Sequence, residues 1–213
     1  MSDSEQLVIY QLKIFILGIS PMIWRRIKIR SDSTITDLHY IIQIVMGWTD
    51  SHLHRFGIQG KDYGIAQIGG ISFSDDPSLV KLSNFGWREK ERFLYEYDFG
   101  DSWQHQIRVE AIVTPKSNCF YPVCISGQRA CPPEDCGGAW EFMAQKQEYW
   151  VGHIANRLSE IIDEGDLTNN LEEIYELRQW LMVEHFDREQ INERLRQYAT
   201  GELESMSFDQ EIV

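Results

Sequence analysis

From Arg26 to Arg30 the chain alternates basic and apolar at every residue, and over the longer run Ile23, Arg25, Ile27 and Ile29 share one parity, and Trp24, Arg26, Lys28 and Arg30 the other. Successive side chains of a strand point to opposite faces, so this is a β-strand with an apolar face and a basic one. The β-rich run over residues 7–18 precedes it, with Ser20-Pro21 supplying the turn. Ser31-Asp32-Ser33-Thr34 then offers helix N-caps, and Ile35, Leu38, Ile41, Ile42 and Val45 recur at three and four until Gly47. That spacing predicts an amphipathic helix with start and stop signals in place. The resulting strand–strand–helix opening is β-grasp-like by analogy.

Further along, Gln59-Gly60 separates two short β-rich runs, a hairpin spacing. Residues 65–90 read as a long irregular connection, with Leu79-Val80-Lys81-Leu82 as a short strand. Phe93–Tyr97 and Gln106–Val113 read as strands bracketing a turn at Asp98-Phe99-Gly100-Asp101-Ser102. A connection holding Asn118, Pro122, Gly127, Pro132 and Pro133 predicts no regular element before Gly137-Gly138 opens a helix near Trp140. From about residue 150 the apolar spacing is helical, through Ile154, Leu158, Ile161, Ile162, Leu171, Ile174, Tyr175, Leu177 and Leu181. The expected fold is α+β, a mixed or antiparallel sheet with C-terminal helices. Residues 7–150 form the domain and residues 151–213 an acidic helical extension.

The net charge of −13 is uneven. Residues 151–213 hold 15 acids and 5 bases, net −10, leaving 18 acids and 15 bases, net −3, for residues 1–150. Such a balance offers no bulk attraction to phosphate backbones or anionic lipid, which argues against nucleic-acid and membrane partners. The local cluster Arg25, Arg26, Lys28 and Arg30 is split between two strand faces and reads as a solvated surface. The polar start, Met1 to Gln6, lacks an export-signal pattern, and no apolar run is long enough to span a bilayer. The expected location is the cytoplasm.

Two islands mix acids, thiols and a histidine with Gly, Pro and Trp: Tyr97 to His105, and Ala130 to Gly138. All four cysteines, Cys119, Cys124, Cys131 and Cys136, fall at intervals of five, seven and five. In a reducing compartment such clustering fits a thiolate zinc site, a set of buried free thiols, or a redox pair, and the intervals are wider than those of a zinc knuckle. His52 and His54, facing Asp98, Asp101 and His105 across the sheet, would make a hydrolase-like cation site; otherwise the carboxylates serve the turn and the rings pack on the sheet. Glu134 and Asp135 sit in a proline-stiffened loop at a helix entry, where acids cap amides or are presented as ligands or a general base. Phosphate-cradling, dinucleotide, nucleophile-elbow and His-Glu-x-x-His motifs are absent from the sequence.

Several motifs together resemble the Ri-plasmid open-reading-frame-three-like family. They are Tyr10 to Ile14, Pro21 to Arg26, Leu38-His39, Met46-Gly47-Trp48, His52-Leu53-His54, Tyr95 to Trp103, His105, Tyr121-Pro122 and Ala130 to Gly138. The resemblance covers about residues 8–150 and departs at Ala139-Trp140, where the family pattern carries another Gly and a Tyr. It implies a compact α+β domain and supplies no activity. Members also carry an insertion-element passenger or resolvase-like label, but a serine recombinase needs an activated Ser among arginines and a basic DNA-binding module, which this chain lacks. Two functions follow as expectations. One is a binding or adaptor module associated with mobile elements, organised by zinc, its acidic tail meeting a protein partner. The other is a metal-dependent hydrolase using His52, His54, Asp98, Asp101 and His105.

Overall fold

A computed structural model describes residues 6–65 and 73–202. Seven strands form one sheet: β1 (Ile9–Ile16), β2 (Trp24–Arg30), β3 (His54–Ile58), β4 (Lys61–Gly64), β5 (Arg92–Tyr97), β6 (Trp103–Val113) and β7 (Val123–Gln128). Their spatial order is β4-β3-β5-β6-β1-β2-β7, and each neighbouring pair is antiparallel. The helices are α1 (Ile35–Met46), α2 (Gly138–Glu148), α3 (Val151–Glu164), α4 (Leu171–Leu181) and α5 (Arg188–Thr200). The fold is α+β with an antiparallel sheet.

Alternation in the strands decides which face the helices cover. Leu12, Ile14, Ile27, Ile29, Tyr95, Ile107 and Val109 are buried on one side, while Lys13, Arg26, Lys28 and Arg108 on the other keep contact with solvent. Helix α1 lies on the buried side, starting where the capping signals place it. Thr34 Oγ1 accepts from Asp37 N at 3.1 Å, Thr34 N donates to Asp37 at 2.7 Å, and Gly47 ends the helix in the left-handed region, donating to Gln43 O. Arg25, on the parity of the isoleucines, is buried with them. Its Nε donates to Val45 O at 2.7 Å, an orphan carbonyl of the last helical turn, and its guanidinium lies 4.4 Å from the Phe186 ring.

Two local expectations are corrected. Residues 79–82 form no strand: Lys81 makes a single bridge to Thr34, followed by a 3-10 turn over Leu82–Phe85. The supposed irregular connection before Pro132 contains β7, an edge strand. Its exposed backbone is sealed by α5, where Asn192 accepts from Cys124 N at 2.8 Å and donates to Cys124 O at 2.9 Å. The helices after residue 150 share the core of the sheet, through buried Ile154, Ile161, Leu177, Trp180 and Leu195. Tyr198 of α5 donates to Asp37 of α1 at 2.8 Å.

Candidate functional site

The two islands meet. The β5–β6 turn puts Asp98 in the left-handed region (φ 56), held by an Asx turn in which Gly100 N donates to Asp98 Oδ1 at 2.9 Å. The second loop holds Asp135 likewise (φ 59), and between them comes His52 from the α1–β3 loop. His52 Nε2 lies 3.0 Å from Asp135 Oδ1 and 3.8 Å from Asp98 Oδ2. That nitrogen is shielded from solvent and makes no hydrogen bond among the described residues. One imidazole and two carboxylates thus present ligand atoms within 4.8 Å of one another. Two aspartates in a conformation few residues adopt place both on the same small volume.

Glu134 fastens the second loop to the sheet. Its carboxylate accepts from Thr49 N (2.9 Å), Thr49 Oγ1 (2.6 Å) and the Tyr97 hydroxyl (2.5 Å), while Trp48 Nε1 donates to Pro132 O at 2.9 Å. Burial first, then the hydrogen bond to Glu134, holds the Tyr97 phenol well above its ordinary range. The capping role for Glu134 and Asp135 is therefore corrected: the N-cap of α2 is Gly137, without a side-chain cap, and its N–H donates at 3.1 Å to Asp101 from the first island. A carboxylate near a helix N-terminus is favourable, which explains why Asp101 points there and not at His52.

Beside this junction opens a cleft of about 660 Å³. Met46, Cys131, Phe142 and Trp180 supply apolar wall, and Thr49, Ser51, Glu134 and Asp135 supply its polar groups. Helices α2 and α4 therefore complete a cleft begun by the α1–β3 loop and the second island.

Gly138 passes close to the backbone of the first island: a Cβ there would stand 2.4 Å from Asp101 O, and its φ is +81. Gly138→Ala is expected to cost on the order of 3 kcal/mol, summing left-handed strain and the backbone clash. A urea midpoint unchanged from the parent would show that the loops can part freely.

The other expected ligands go elsewhere. His105 is fully buried against Trp48 and Tyr95, its Nδ1 2.9 Å from Trp103 O, and burial pulls its pKa down to about 4. His54 lies flat on His39, ring centroids 3.4 Å apart and planes 9° from parallel. Burial, then the neighbouring His39, lowers its pKa to about 2.

His39, Asp50 and His54 also lie close enough to suggest a cation site, but the stacking forbids it. Imidazole lone pairs lie in the ring plane; a metal midway between these rings would sit about 1.7 Å, half their spacing, out of both planes, against a metal–nitrogen bond of about 2.1 Å. His39 instead bridges Tyr95 (2.9 Å) and Asp50 (2.7 Å), with Gln43 donating to the Tyr95 hydroxyl at 2.9 Å. This buried relay was missed in the sequence, where His39 enters only as part of the Leu38-His39 motif on a helix.

The cysteines are spread out. Cys119 is exposed, Cys124 is buried in β7, Cys131 touches Met46 Sδ (3.1 Å) and Arg25 (3.6 Å), and Cys136 is half-buried beside Asp101. Desolvation pushes the Cys131 and Cys136 thiols up to about 11. Among the described residues no group able to hold a metal includes a cysteine.

Residues 8–194 match the family model described as plasmid pRiA4b ORF-3-like protein. The chain belongs to that family. The pRiA4b ORF-3-like match runs beyond residue 150 through α4 and into α5, so helices placed outside the resemblance by sequence lie within it. This pRiA4b ORF-3-like chain is 31% identical over 135 residues to the uncharacterized protein y4hQ of Sinorhizobium fredii, covering 63% of this chain and 69% of that protein. It is also similar to the crystal structure of a protein of unknown function, MM3350, from Methanosarcina mazei Go1, with a TM-score of 0.64 and 35% identity over 87% of this chain and 97% of that one. In this pRiA4b ORF-3-like chain no helix among the described residues is long and apolar enough to cross a membrane.

Proposed function

We propose that this protein is a binding module that takes a small ligand into the cleft between the α1–β3 loop and the Ala130–Gly138 loop, with a divalent cation on His52, Asp98 and Asp135 beside its mouth. The observation that carries the reading is the convergence of three ligand atoms from three separate loops beside an open cleft of about 660 Å³. A mixed nitrogen and oxygen set suits Zn²⁺ or Mn²⁺, so zinc belongs with the His/Asp junction and not with the thiols. The plasmid origin in the family's name supports an association with mobile elements, and the acid-rich outer surfaces of α3 and α4 are where a protein partner would meet the module.

Three protein ligands leave coordination positions free. That favours, as a second reading, a metal-dependent hydrolase, because catalytic zinc sites use three protein ligands plus a water. In this version His52, Asp98 and Asp135 hold the ion, and His54, Asp101 and His105 act as structural supports.

Thermal unfolding with added Zn²⁺ or Mn²⁺ tests both readings. At a hundredfold excess over the dissociation constant, binding adds about 2.7 kcal/mol, or about 5–10 °C in a domain of this size. Asp98→Asn keeps the acceptor for Gly100 N and should abolish the shift. No shift with either metal, or a full shift in Asp98→Asn, defeats the cation site; turnover of a phosphate or carboxylate ester by metal-loaded protein decides for the hydrolase.

A further inference from the structure

The sheet face turned away from the helices carries a line of cations that no single strand contains. In register, Arg92 of β5 stands opposite Arg108 of β6, Arg108 opposite Lys13 of β1, and Lys13 opposite Arg26 of β2. Four positive charges therefore lie side by side across four adjacent strands. At about 4.8 Å per strand the row is about 14 Å long. Like charges directly opposite one another destabilise a sheet, so the arrangement costs stability unless something negative lies over it. Among the described residues only Arg26 of the four forms an ion pair, with Glu110. Arg108 Nε is shielded from solvent with no hydrogen-bond partner among them.

The next row on the same face has a different chemistry. Leu94, Gln106, Phe15, Trp24 and Gln128 follow one another in register. Phe15 and Trp24 are partly exposed planar rings, and Trp24 Nε1 donates to Gln128 Oε1 at 3.1 Å. The two rows are in contact, Lys13 Nζ lying 4.8 Å and the Arg26 guanidinium 5.0 Å from the Trp24 ring.

We infer that this face binds single-stranded nucleic acid, the phosphodiester backbone on the cation row and the bases on the row of rings and amides. A cationic track beside aromatic platforms is how strands without paired bases are held. A duplex hides its bases from such a lane, and a purely acidic peptide would use the cations and leave the rings idle. The net charge of −13 does not oppose this locally. Residues 151–202, with 12 acids and 5 bases, account for −7 of it, and their helices pack on the other side of the sheet. At physiological salt the screening length is about 8 Å, so the near charges dominate.

Fluorescence anisotropy of the full chain with labelled oligothymidylate of about 20 nucleotides, longer than typical site sizes of about 4–16, tests the inference. With three cations free of ion pairs, the plot of log affinity against log salt should have a slope of about −2, at about −0.7 per phosphate contact. Arg92→Gln with Arg108→Gln should weaken binding at least about tenfold at low salt and bring the slope to about −0.7. Because the substitutions relieve repulsion, the urea midpoint should hold or rise, separating lost binding from lost folding. Trp24→Ala should lower affinity with the slope unchanged. No binding at about 50 mM salt, an undiminished double variant, or equal competition by polyglutamate of the same length would overturn it; the last outcome would assign the face to acidic peptides.

Discussion

A chain ended after Trp150 is expected not to fold. Ile154, Ile161, Leu177, Trp180 and Leu195 are each at most 7% exposed and belong to the same core as the sheet and α1. Burying such side chains stabilises by about 1.5–3 kcal/mol each, so their loss removes roughly 7–15 kcal/mol, as much as the total stability of a typical domain. The truncation also strips Asn192 from the β7 edge, Phe186 from Arg25 and Trp180 from the cleft. Circular dichroism and urea unfolding of residues 1–150 measure the effect. A cooperative transition in that fragment would mean that residues 151–213 are an extension the domain can do without. Failure to fold means that partner capture must be tested by charge substitutions on the outer surfaces of α3 and α4, because deletion would erase the whole molecule.

Acid should unfold the protein steeply, and His105 is the clearest cause. Its pKa is about 4 in the folded chain against an ordinary 6.5, because burial disfavours the charged ring. Between those values the unfolded chain binds the extra proton, so stability rises with pH there. The contribution is fully present above pH 6.5 and is lost as pH falls through about 4, roughly 3 kcal/mol in all. His54, lowered to about 2, adds a loss in the same direction that continues to lower pH. His105→Leu should flatten the pH dependence of the urea midpoint between pH 6.5 and 4, by up to about 1.4 kcal/mol per pH unit. Since His105 Nε2 has no hydrogen-bond partner among the described residues, the apolar replacement leaves little unpaired behind. An unchanged slope in this variant would mean that the ring takes its proton without unfolding.

The candidate site was half legible. Acids among Gly and Pro marked both loops, because residues that tolerate left-handed backbone declare turns in their own sequence. His52 and His54, two apart, read as one pair, yet β3 begins at His54 and His52 stays in the loop. Strand geometry holds for one and not the other, so one ring enters the core and the other reaches Asp135. The cysteines misled for a related reason: β7 is extended, at about 3.3 Å per residue, which carries Cys124 about 13 Å from Gln128 alone. Gly127 and the neighbouring Pro122 masked that strand. Its pairing with β2 and its seal by Asn192, both long-range, hold it in place.

By itself the sequence determined the early strands, the capped first helix, and the parity that sets Arg26, Lys28 and Arg30 apart from the isoleucines. These depend on periodicity and on side chains bonding backbone within a few residues, so the information is local. Only the tertiary structure decided that β6 lies between β5 and β1, and hence that Arg92, Arg108, Lys13 and Arg26 stand in one line. It likewise decided that His52, Asp98 and Asp135 share one junction. Strand order and loop meeting points are set by burying the whole apolar face at once, and no window of the chain contains that sum.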